Sequence, residues 1–354
     1  MNLLQSRLAS HGLDRYRFST PAEVVRHYGC IQAQDIWQAT WVIGSRIEWS
    51  MEDMVREACR DGSIVRTWPM RGTLHYMDPK NVHWMLALCA SKTLPGFVKR
   101  REFLAITDTH AEKALEIMER ELRGGKSLTR TALGNTLEAG WIPMQTQWTY
   151  HLACYAATRG LICFWPPTPK EETFILLDEW VKHPKILTRD EELTELARMY
   201  FRGHSPASID DLVWWCGLGK TECKEAINLI IDELEKIEYE GKTYYQFPAI
   251  EHPSTTGLKL LWGFDEYFLG YKDRSLVAER ESQNKLFTTN GIFFPLILQN
   301  GGVIGSWKHE YKKDRVIIRP ETLAWHTIDM KELEKECERY AKFSGYTRWS
   351  IESH

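Results

Sequence analysis

No stretch of this 354-residue sequence is long and apolar enough to cross a membrane as a helix. A helical span needs about 20 consecutive apolar residues, and the apolar run at residues 85–90 is far shorter. Residues 1–17 contain several charges and no apolar segment, so we expect no signal peptide. These absences predict a cytoplasmic protein with no membrane partner.

The features of a metal site or a phosphate site are also missing. The 8 cysteines are scattered, with no C-x-x-C pair and no cluster of Cys and His at metal-binding spacing. Such cysteines are typical of buried thiols in a reducing compartment. The turn Asn300-Gly301-Gly302 lacks the downstream Lys and Ser/Thr of a phosphate-binding loop. We therefore expect no metal and no cofactor.

Excess basic charge is absent as well. The formal net charge is −3, from 45 Lys and Arg residues against 48 Asp and Glu residues, so any DNA-binding face has to be a local patch. The hydrophobic fraction of 43% is that of a globular protein, and the length suffices for two or three domains. Tryptophan is abundant instead, and its 15 rings suit either a core or surfaces that stack on bases.

The order of helix and strand patterns predicts a winged helix near the N-terminus. A hydroxyl cap and a proline in Ser19-Thr20-Pro21 begin the first helical pattern. Three helical patterns and two strand patterns cover residues 19–31, 37–47, 51–59, 63–66 and 73–77. The turn between the strands is expected at or beside Trp68-Pro69 and Arg71-Gly72.

This outline recurs along the chain, which indicates tandem copies. We predict an α+β fold of tandem winged-helix (helix-turn-helix) domains followed by a small C-terminal antiparallel sheet or β-barrel. The third wing is expected as a hairpin at residues 237–245 with a Glu-Gly turn. Strand-like blocks at 259–271, 292–298, 302–307 and 315–319 precede a helix at 330–343. The predicted domains are winged helix 1 at 1–105, winged helix 2 at 106–185, winged helix 3 at 186–250, and the barrel with its terminal helix at 258–354.

Two glutamines flank an alanine in Gln32-Ala33-Gln34, where a core helix would carry apolar residues. An amide offers one acceptor and two donors without charge, so the pair can orient a water molecule or a sugar oxygen. Residues i and i+2 of a regular helix face different directions, so both amides share a site only if the segment is extended, kinked or at a helix end. Alternatively, one amide binds backbone and the other is solvated. Asp35 either caps the next helix or stabilises a developing cation.

Four blocks taken jointly resemble one known family. They are Gln32-Ala33-Gln34, residues 66–75 (RTWPMRGTLH), residues 261–274 (LWGFDEYFLGYKDR) and residues 302–307 (GVIGSW). In this order the chain is similar to the winged-helix DNA glycosylases of the AlkZ/YcaQ type. One branch of that family has Asp where this chain has Gln34, so the sequence lies nearer the AlkZ branch.

The resemblance implies excision of N7-alkylated purines, including those in interstrand crosslinks, from double-stranded DNA. It implies a monofunctional mechanism in which water attacks the anomeric carbon, with Gln32 and Gln34 as the catalytic residues. A purine that is already cationic is a good leaving group, which suits two neutral amides. DNA is then the expected partner, and the expected location is cytoplasmic and nucleoid-associated.

Other side chains are candidates for DNA contact. They lie around the predicted wing and in the densest basic run, and they are Arg66, Trp68, Arg71, Thr73, His75, Lys99 and Arg100. Arginines at a wing can bind phosphates, or they can be unrelated to DNA. Trp68 is either a wedge beside a base or a core residue, and a lone histidine more often bonds a buried neighbour. In residues 261–274, the polar and charged side chains are Asp265, Tyr271, Lys272 and Arg274. They are interpreted as a buried or interdomain ion pair, with catalysis as the alternative.

Two other functions are consistent with this outline. The first is a non-catalytic winged-helix DNA-binding protein such as a transcriptional regulator. A regulator needs basic recognition helices, whereas residues 145–151 carry little charge, which weakens this hypothesis. The second is an interaction module whose wings are structural. We expect a monomer, because the sequence has no coiled-coil heptads.

Overall fold

The computed structural model describes residues 2–165, 171–248, 257–289, 291–323 and 326–352. The helices described are α1 (Leu3–Ser10), α2 (Pro21–Tyr28), α3 (Ile36–Gly44), α4 (Glu52–Arg60), α5 (Val82–Leu88), α6 (Leu94–Phe103), α7 (Asp108–Leu122), α8 (Arg130–Ala139), α9 (Trp148–Thr158), α10 (Leu177–Trp180), α11 (Arg189–His204), α12 (Ile209–Cys216), α13 (Lys220–Leu229), α14 (Glu266–Leu269), α15 (Arg280–Gln283) and α16 (Met330–Phe343). The strands described are β1 (Cys30–Gln32), β2 (Val65–Met70), β3 (Thr73–Met77), β4 (Leu128–Thr129), β5 (Ile162–Trp165), β6 (Thr173–Leu176), β7 (Glu235–Tyr239), β8 (Lys242–Gln246), β9 (Leu258–Leu261), β10 (Leu296–Gln299), β11 (Gly302–Tyr311), β12 (Val316–Thr322) and β13 (Trp349–Ile351). The mixed α+β class predicted from the sequence is confirmed, and in the described part of the chain no helix is long and apolar enough to span a membrane.

Local capping chemistry explains where helices α2 and α16 begin. At the start of α2, the Thr20 hydroxyl accepts from the Glu23 backbone N–H, and the Glu23 carboxylate accepts from the Thr20 backbone N–H. This capping box satisfies two donors that a helix end would leave without partners. At the start of α16, Asp329 accepts from the backbone N–H groups of Lys331 and Glu332. The helix predicted at residues 330–343 is confirmed at both ends.

The chain forms two compact units. The terminal unit comprises Met1–Val55, Leu193–Trp215 and Gly219–His354, and the central unit comprises Arg56–Glu192 and Cys216–Leu218. The two units are defined by the contacts within each of them. The division into three winged helices and a barrel stays a prediction.

The central unit is built around a sheet in which β3, β2, β5, β6 and β4 are neighbours in that order. The hairpin of β2 and β3 confirms the predicted pair of strands. The turn expected at or beside two dipeptides is confirmed at Arg71-Gly72, whose φ angles are 54° and 70°, whereas Trp68 and Pro69 lie within β2. The register of the hairpin shifts between Thr67 and Met70, and such an irregularity accommodates a proline that cannot donate to the ladder.

The terminal unit contains a sheet in the order β13-β12-β11-β10-β9, antiparallel except for the parallel β12–β13 pair. The strand-like block expected over residues 259–271 ends at Leu261, and the short helix α14 follows it. Gly263 lies at this change of direction, where an added Cβ would stand 2.0 Å from the Phe293 carbonyl oxygen. Only glycine permits so close an approach of two backbone segments. The closed barrel stays a prediction.

The hairpin predicted at residues 237–245 is confirmed, and its assignment as a third wing stays a prediction. Strands β7 and β8 pair antiparallel from Glu235–Gln246 to Tyr239–Lys242. Glu240 and Gly241 form the turn with φ angles of 48° and 72°, the left-handed pair that suits the twist of a two-residue hairpin.

Acidification from pH 6.5 to about 4 is expected to destabilise the terminal unit through His27. Its Nε2–H donates to the Ser10 carbonyl oxygen at 2.6 Å, and burial lowers the pKa of His27 from its ordinary 6.5 to about 4. The unfolded chain therefore takes up this proton at a higher pH than the folded chain. The contribution of neutral His27 to the free energy of unfolding is complete above pH 6.5 and is lost as the pH falls to 4.

The His27→Gln variant provides the measurement, because its amide can still donate to Ser10 and does not titrate. The urea midpoint of the variant is expected to fall less steeply than that of the wild type between pH 6.5 and 4. Equal slopes for both proteins would remove His27 as a source of acid sensitivity.

Candidate active site

The Gln32-Ala33-Gln34 segment connects α2 to α3 without helical structure, with Gln32 at the end of a strand and Gln34 in a bend. Gly29 ends α2 with a φ angle of 80°, and an added Cβ there would stand 2.8 Å from the Met199 side chain. Residues 30–32 form β1, and Asp35 caps α3 by accepting from the Gln38 backbone N–H at 3.1 Å. The segment thus meets the geometric condition derived from the sequence, and Asp35 takes the capping role.

The two glutamines have different surroundings. The Gln32 side chain is buried at 8% exposure, whereas Gln34 is exposed. Among the described residues, the Gln32 Oε1 has no hydrogen-bond partner although it is shielded from solvent. A buried carbonyl oxygen without a partner costs about 1–3 kcal/mol, so this acceptor is available for a water molecule or a substrate group.

A buried carboxylate holds the backbone at Gln32. The Gln32 N–H donates to the Glu266 Oε1 at 3.1 Å, across 234 positions of sequence. The Glu266 Oε2 lies 3.3 Å from the His204 Nε2, and both side chains are fully buried. The His204 Nδ1 lies 3.0 Å from the Tyr200 carbonyl oxygen, to which it donates. Glu266 therefore links the position of Gln32 to α11.

A second buried pair lies beside Glu266 in the sequence. Two parallel hydrogen bonds join Arg46 to Asp265, from Nη1 to Oδ2 at 2.5 Å and from Nη2 to Oδ1 at 2.6 Å. Burial opposes the charge of the guanidinium, but Asp265 outweighs that effect and raises the pKa of Arg46. Asp265 Oδ1 also accepts from the Tyr267 N–H at 2.9 Å, which caps α14. The ion-pair interpretation of Asp265 is confirmed.

Aromatic hydroxyls and a histidine complete this buried network. The His11 Nε2 lies 2.7 Å from the Tyr271 hydroxyl, which donates to the His204 carbonyl oxygen at 2.7 Å. Burial lowers the pKa of His11 well below its ordinary value, so the ring stays neutral. Tyr28 donates to the His11 carbonyl oxygen at 2.8 Å. The network fixes α1, α2, α11 and α14 relative to one another within the terminal unit.

Several residues predicted to contact DNA lie inside the central unit. Arg66 is 6% exposed and pairs with Glu172 at 3.1 Å, with its guanidinium over the Phe164 ring. Trp68 is 2% exposed in the core, which is the packing alternative of the sequence analysis. His75 is buried, and its Nδ1 lies 2.9 Å from the Thr73 carbonyl oxygen. These three side chains stabilise the β2–β3 hairpin from within.

The remaining candidates are more accessible. Thr73 and Arg71 are half-buried at the β2–β3 turn. Lys99 and Arg100 are exposed on α6, and Arg100 donates to the Gln147 side-chain oxygen. The neighbouring Arg101 is buried and pairs with Asp108 at 3.0 Å. The basic run of the sequence thus divides into two exposed charges and one structural charge.

Comparisons with known proteins decide the family. The family model described as "DNA glycosylase AlkZ-like" matches residues 25–343. The chain belongs to the AlkZ-like DNA glycosylase family. A relative in Streptomyces sahachiroi, "Interstrand DNA cross-link repair glycosylase", is 27% identical over 357 residues, covering 93% of this chain and 92% of that protein. The solved structure of Streptomyces sahachiroi DNA glycosylase AlkZ matches the fold with a TM-score of 0.83 at 23% identity, covering 100% of this chain and 98% of that chain.

Within this AlkZ-like chain, sequence reasoning missed the partners of the motif. Glu266 and His204 were not singled out, and the sequence did not identify Arg46 as the partner of Asp265. The two adjacent carboxylates Asp265 and Glu266 inside the apolar block 261–274 are the signal that the sequence offers. Buried charges need partners, so this pair indicates that partners lie elsewhere in the chain. The structure holds no group of three or more His, Cys, Asp or Glu side chains placed to bind a metal ion, as far as its described ranges extend.

Proposed function

We propose that this AlkZ-like protein is a monofunctional DNA glycosylase that hydrolyses the N-glycosidic bond of N7-alkylated, cationic purines in double-stranded DNA. The observation that carries the proposal is the non-helical Gln32-Ala33-Gln34 segment, with one buried carbonyl acceptor without a partner among the described residues and one exposed amide. A buried polar site of this kind suits a bound water molecule.

The chemistry of the leaving group fits two neutral amides. When water attacks the anomeric carbon, the C1′–N9 bond breaks and its electron pair neutralises the purine cation. The base therefore departs without a proton from the enzyme, and one proton of the water is released to solvent as the sugar hydroxyl forms. The amide oxygens of Gln32 and Gln34 orient the water and stabilise the positive charge that develops on the sugar.

The range of substrates and the DNA contacts form the finer part of the proposal. The relative named for interstrand crosslink repair supports crosslinked purines as substrates. The exposed Lys99 and Arg100 and the turn residues Arg71 and Thr73 are proposed to bind backbone phosphates. Tandem winged helices and a closed C-terminal barrel are the proposed arrangement of the domains, and the protein is proposed to act as a monomer.

Replacing Gln32 or Gln34 with alanine is expected to reduce base release by about 10²-fold or more, because the attacking water loses its orientation. The measurement is single-turnover release from a duplex with one N7-methylguanine, and from a second duplex with an N7-linked interstrand crosslink. Gln5→Ala is the control, because Gln5 is a half-buried glutamine outside the motif whose Nε2 donates to the Asn300 carbonyl oxygen.

If the wild-type protein binds both duplexes but releases no base from either, the non-catalytic DNA-binding alternative is favoured. Release by both motif variants at the wild-type rate would remove the glutamines from the mechanism. Release from the N7-methylguanine duplex alone would restrict the substrate range to simple alkylation.

A further inference from the structure

A cavity of about 560 Å³ lies within the terminal unit, next to the glutamine motif in the sequence. Asp35, which directly follows Gln34, is one of its lining residues. This volume is within the range of about 300–1,000 Å³ typical of small-molecule sites. Aromatic rings dominate the lining, and those the argument uses are Trp37, Trp262, His309, Tyr311, Tyr340 and Tyr346.

The charge of the lining has one sign. Asp35 and Glu52 contribute carboxylates, and no Lys or Arg is among the lining residues that the structure describes. His309 adds no fixed positive charge, because burial lowers the pKa of its ring while Asp35 opposes that effect only in part. The cavity thus combines two carboxylates with several aromatic side chains.

The rings are held in place before any ligand binds. Tyr311 and Tyr346 stack with centroids 5.3 Å apart and an interplanar angle of 9°. His309 meets Trp262 edge to face at 5.1 Å, and Tyr311 at 4.6 Å. The Tyr311 and Tyr340 hydroxyls share a hydrogen bond of 2.8 Å. Such preorganisation reduces the entropy that binding would otherwise cost.

We propose that this cavity binds a planar organic cation and that its ligand is the N7-alkylated purine itself. The proposal rests on the proposed function for the identity of the ligand. Ring faces attract a cation through their quadrupoles, carboxylates add to that attraction, and a neutral purine of the same shape gains neither. The cavity therefore discriminates between damaged and normal purines.

If the cavity binds the cationic purine, its residues should affect KM and kcat differently. The purine is cationic before cleavage and neutral afterwards, so the cavity stabilises the bound substrate more than the transition state. Loss of a ring or a carboxylate should raise KM without lowering kcat. The cavity binds the neutral base that forms on cleavage less tightly than the cationic base of the substrate, which favours product release.

The direct test uses the full chain with 7-methylguanosine, which is cationic, and guanosine, which is neutral, by calorimetry. Wild type is expected to bind the cation at least about fivefold more tightly. Trp37→Ala removes a ring that is 59% exposed, and Asp35→Asn removes a charge but keeps a capping oxygen. Both should bring the two affinities within about twofold. Trp49→Ala is the control, because Trp49 is 81% exposed and is not a lining residue.

Equal affinity of wild type for both nucleosides, or no binding of either, would overturn the proposal. Retention of the full preference by both Trp37→Ala and Asp35→Asn would overturn it as well. The binding measurement involves no bond cleavage, so it stands apart from the base-release assay. If the protein prefers the cation but releases no base, the cavity is a cation-binding site and the proposed glycosylase activity is contradicted.

Discussion

Replacing Asp265 with alanine is expected to lower the free energy of unfolding of the terminal unit by about 3–5 kcal/mol. The side chains of Arg46 and Asp265 are fully buried and joined by two short, parallel hydrogen bonds. Without the carboxylate, the guanidinium stays buried without a compensating charge. Urea unfolding followed by tryptophan fluorescence measures the loss.

The Asp265→Asn variant separates the charge of this side chain from its role in capping α14. Asp265→Asn keeps an oxygen for the Tyr267 N–H and so preserves the cap of α14, yet we expect it to lose most of the same stability. Asp210→Ala is the matched control, because the exposed pair of Asp210 and Lys220 should contribute less than about 1 kcal/mol. A cost below about 1 kcal/mol for both Asp265 variants would contradict the buried-charge argument.

Local chemistry was sufficient to predict much of the secondary structure. The helix at residues 330–343 was found at both ends because its apolar spacing and its Asp329 cap are local signals. The Glu-Gly turn between β7 and β8 was found because a hairpin of this type requires two residues with positive φ angles. The conformation of the glutamine segment is left open by the sequence, and the structure places it between the end of α2 at Gly29 and the Asp35 cap of α3.

Contacts between distant parts of the sequence could not be predicted in this way. Proline commonly marks a turn or its edge, but the packing of the Trp68 ring in the core and an irregular register keep Trp68-Pro69 in β2. Glu266 stands 234 positions from Gln32. Nothing in its neighbouring residues indicates which backbone group it holds, since pairing at that distance is set by tertiary packing.

Short sequence motifs therefore identify the family. The contacts that hold the glutamine motif in place depend on tertiary packing. The four blocks quoted from the sequence identified the AlkZ-like family, which the match over residues 25–343 confirms. Two of those blocks meet in the terminal unit through Gln32 and Glu266. These two blocks are thus parts of one buried arrangement, from which the next prediction follows.

Glu266→Ala is expected to reduce base release by about 10²-fold although Glu266 is not a proposed catalytic residue. The Glu266 carboxylate fixes the Gln32 N–H at 3.1 Å, and a displacement of about 1 Å at a catalytic group can cost 10²-fold in rate. This expectation rests on the proposed role of Gln32. The measurement is single-turnover release from the N7-methylguanine duplex, at a temperature well below the unfolding midpoint of each variant.

Glu266→Gln distinguishes positioning from general stability. Its amide oxygen can accept from the Gln32 N–H, and its N–H can donate to the His204 Nε2, because the His204 Nδ1 donates to the Tyr200 carbonyl oxygen. Base release by Glu266→Gln should therefore stay within about tenfold of wild type, since the hydrogen bond that fixes the Gln32 N–H is kept. If Glu266→Gln were as inactive as Glu266→Ala, the negative charge would be the required property and Glu266 would act on the developing cation. If Glu266→Ala released base at the wild-type rate, Gln32 would keep its position without the carboxylate, and α3 and β1 alone would account for the geometry of the motif.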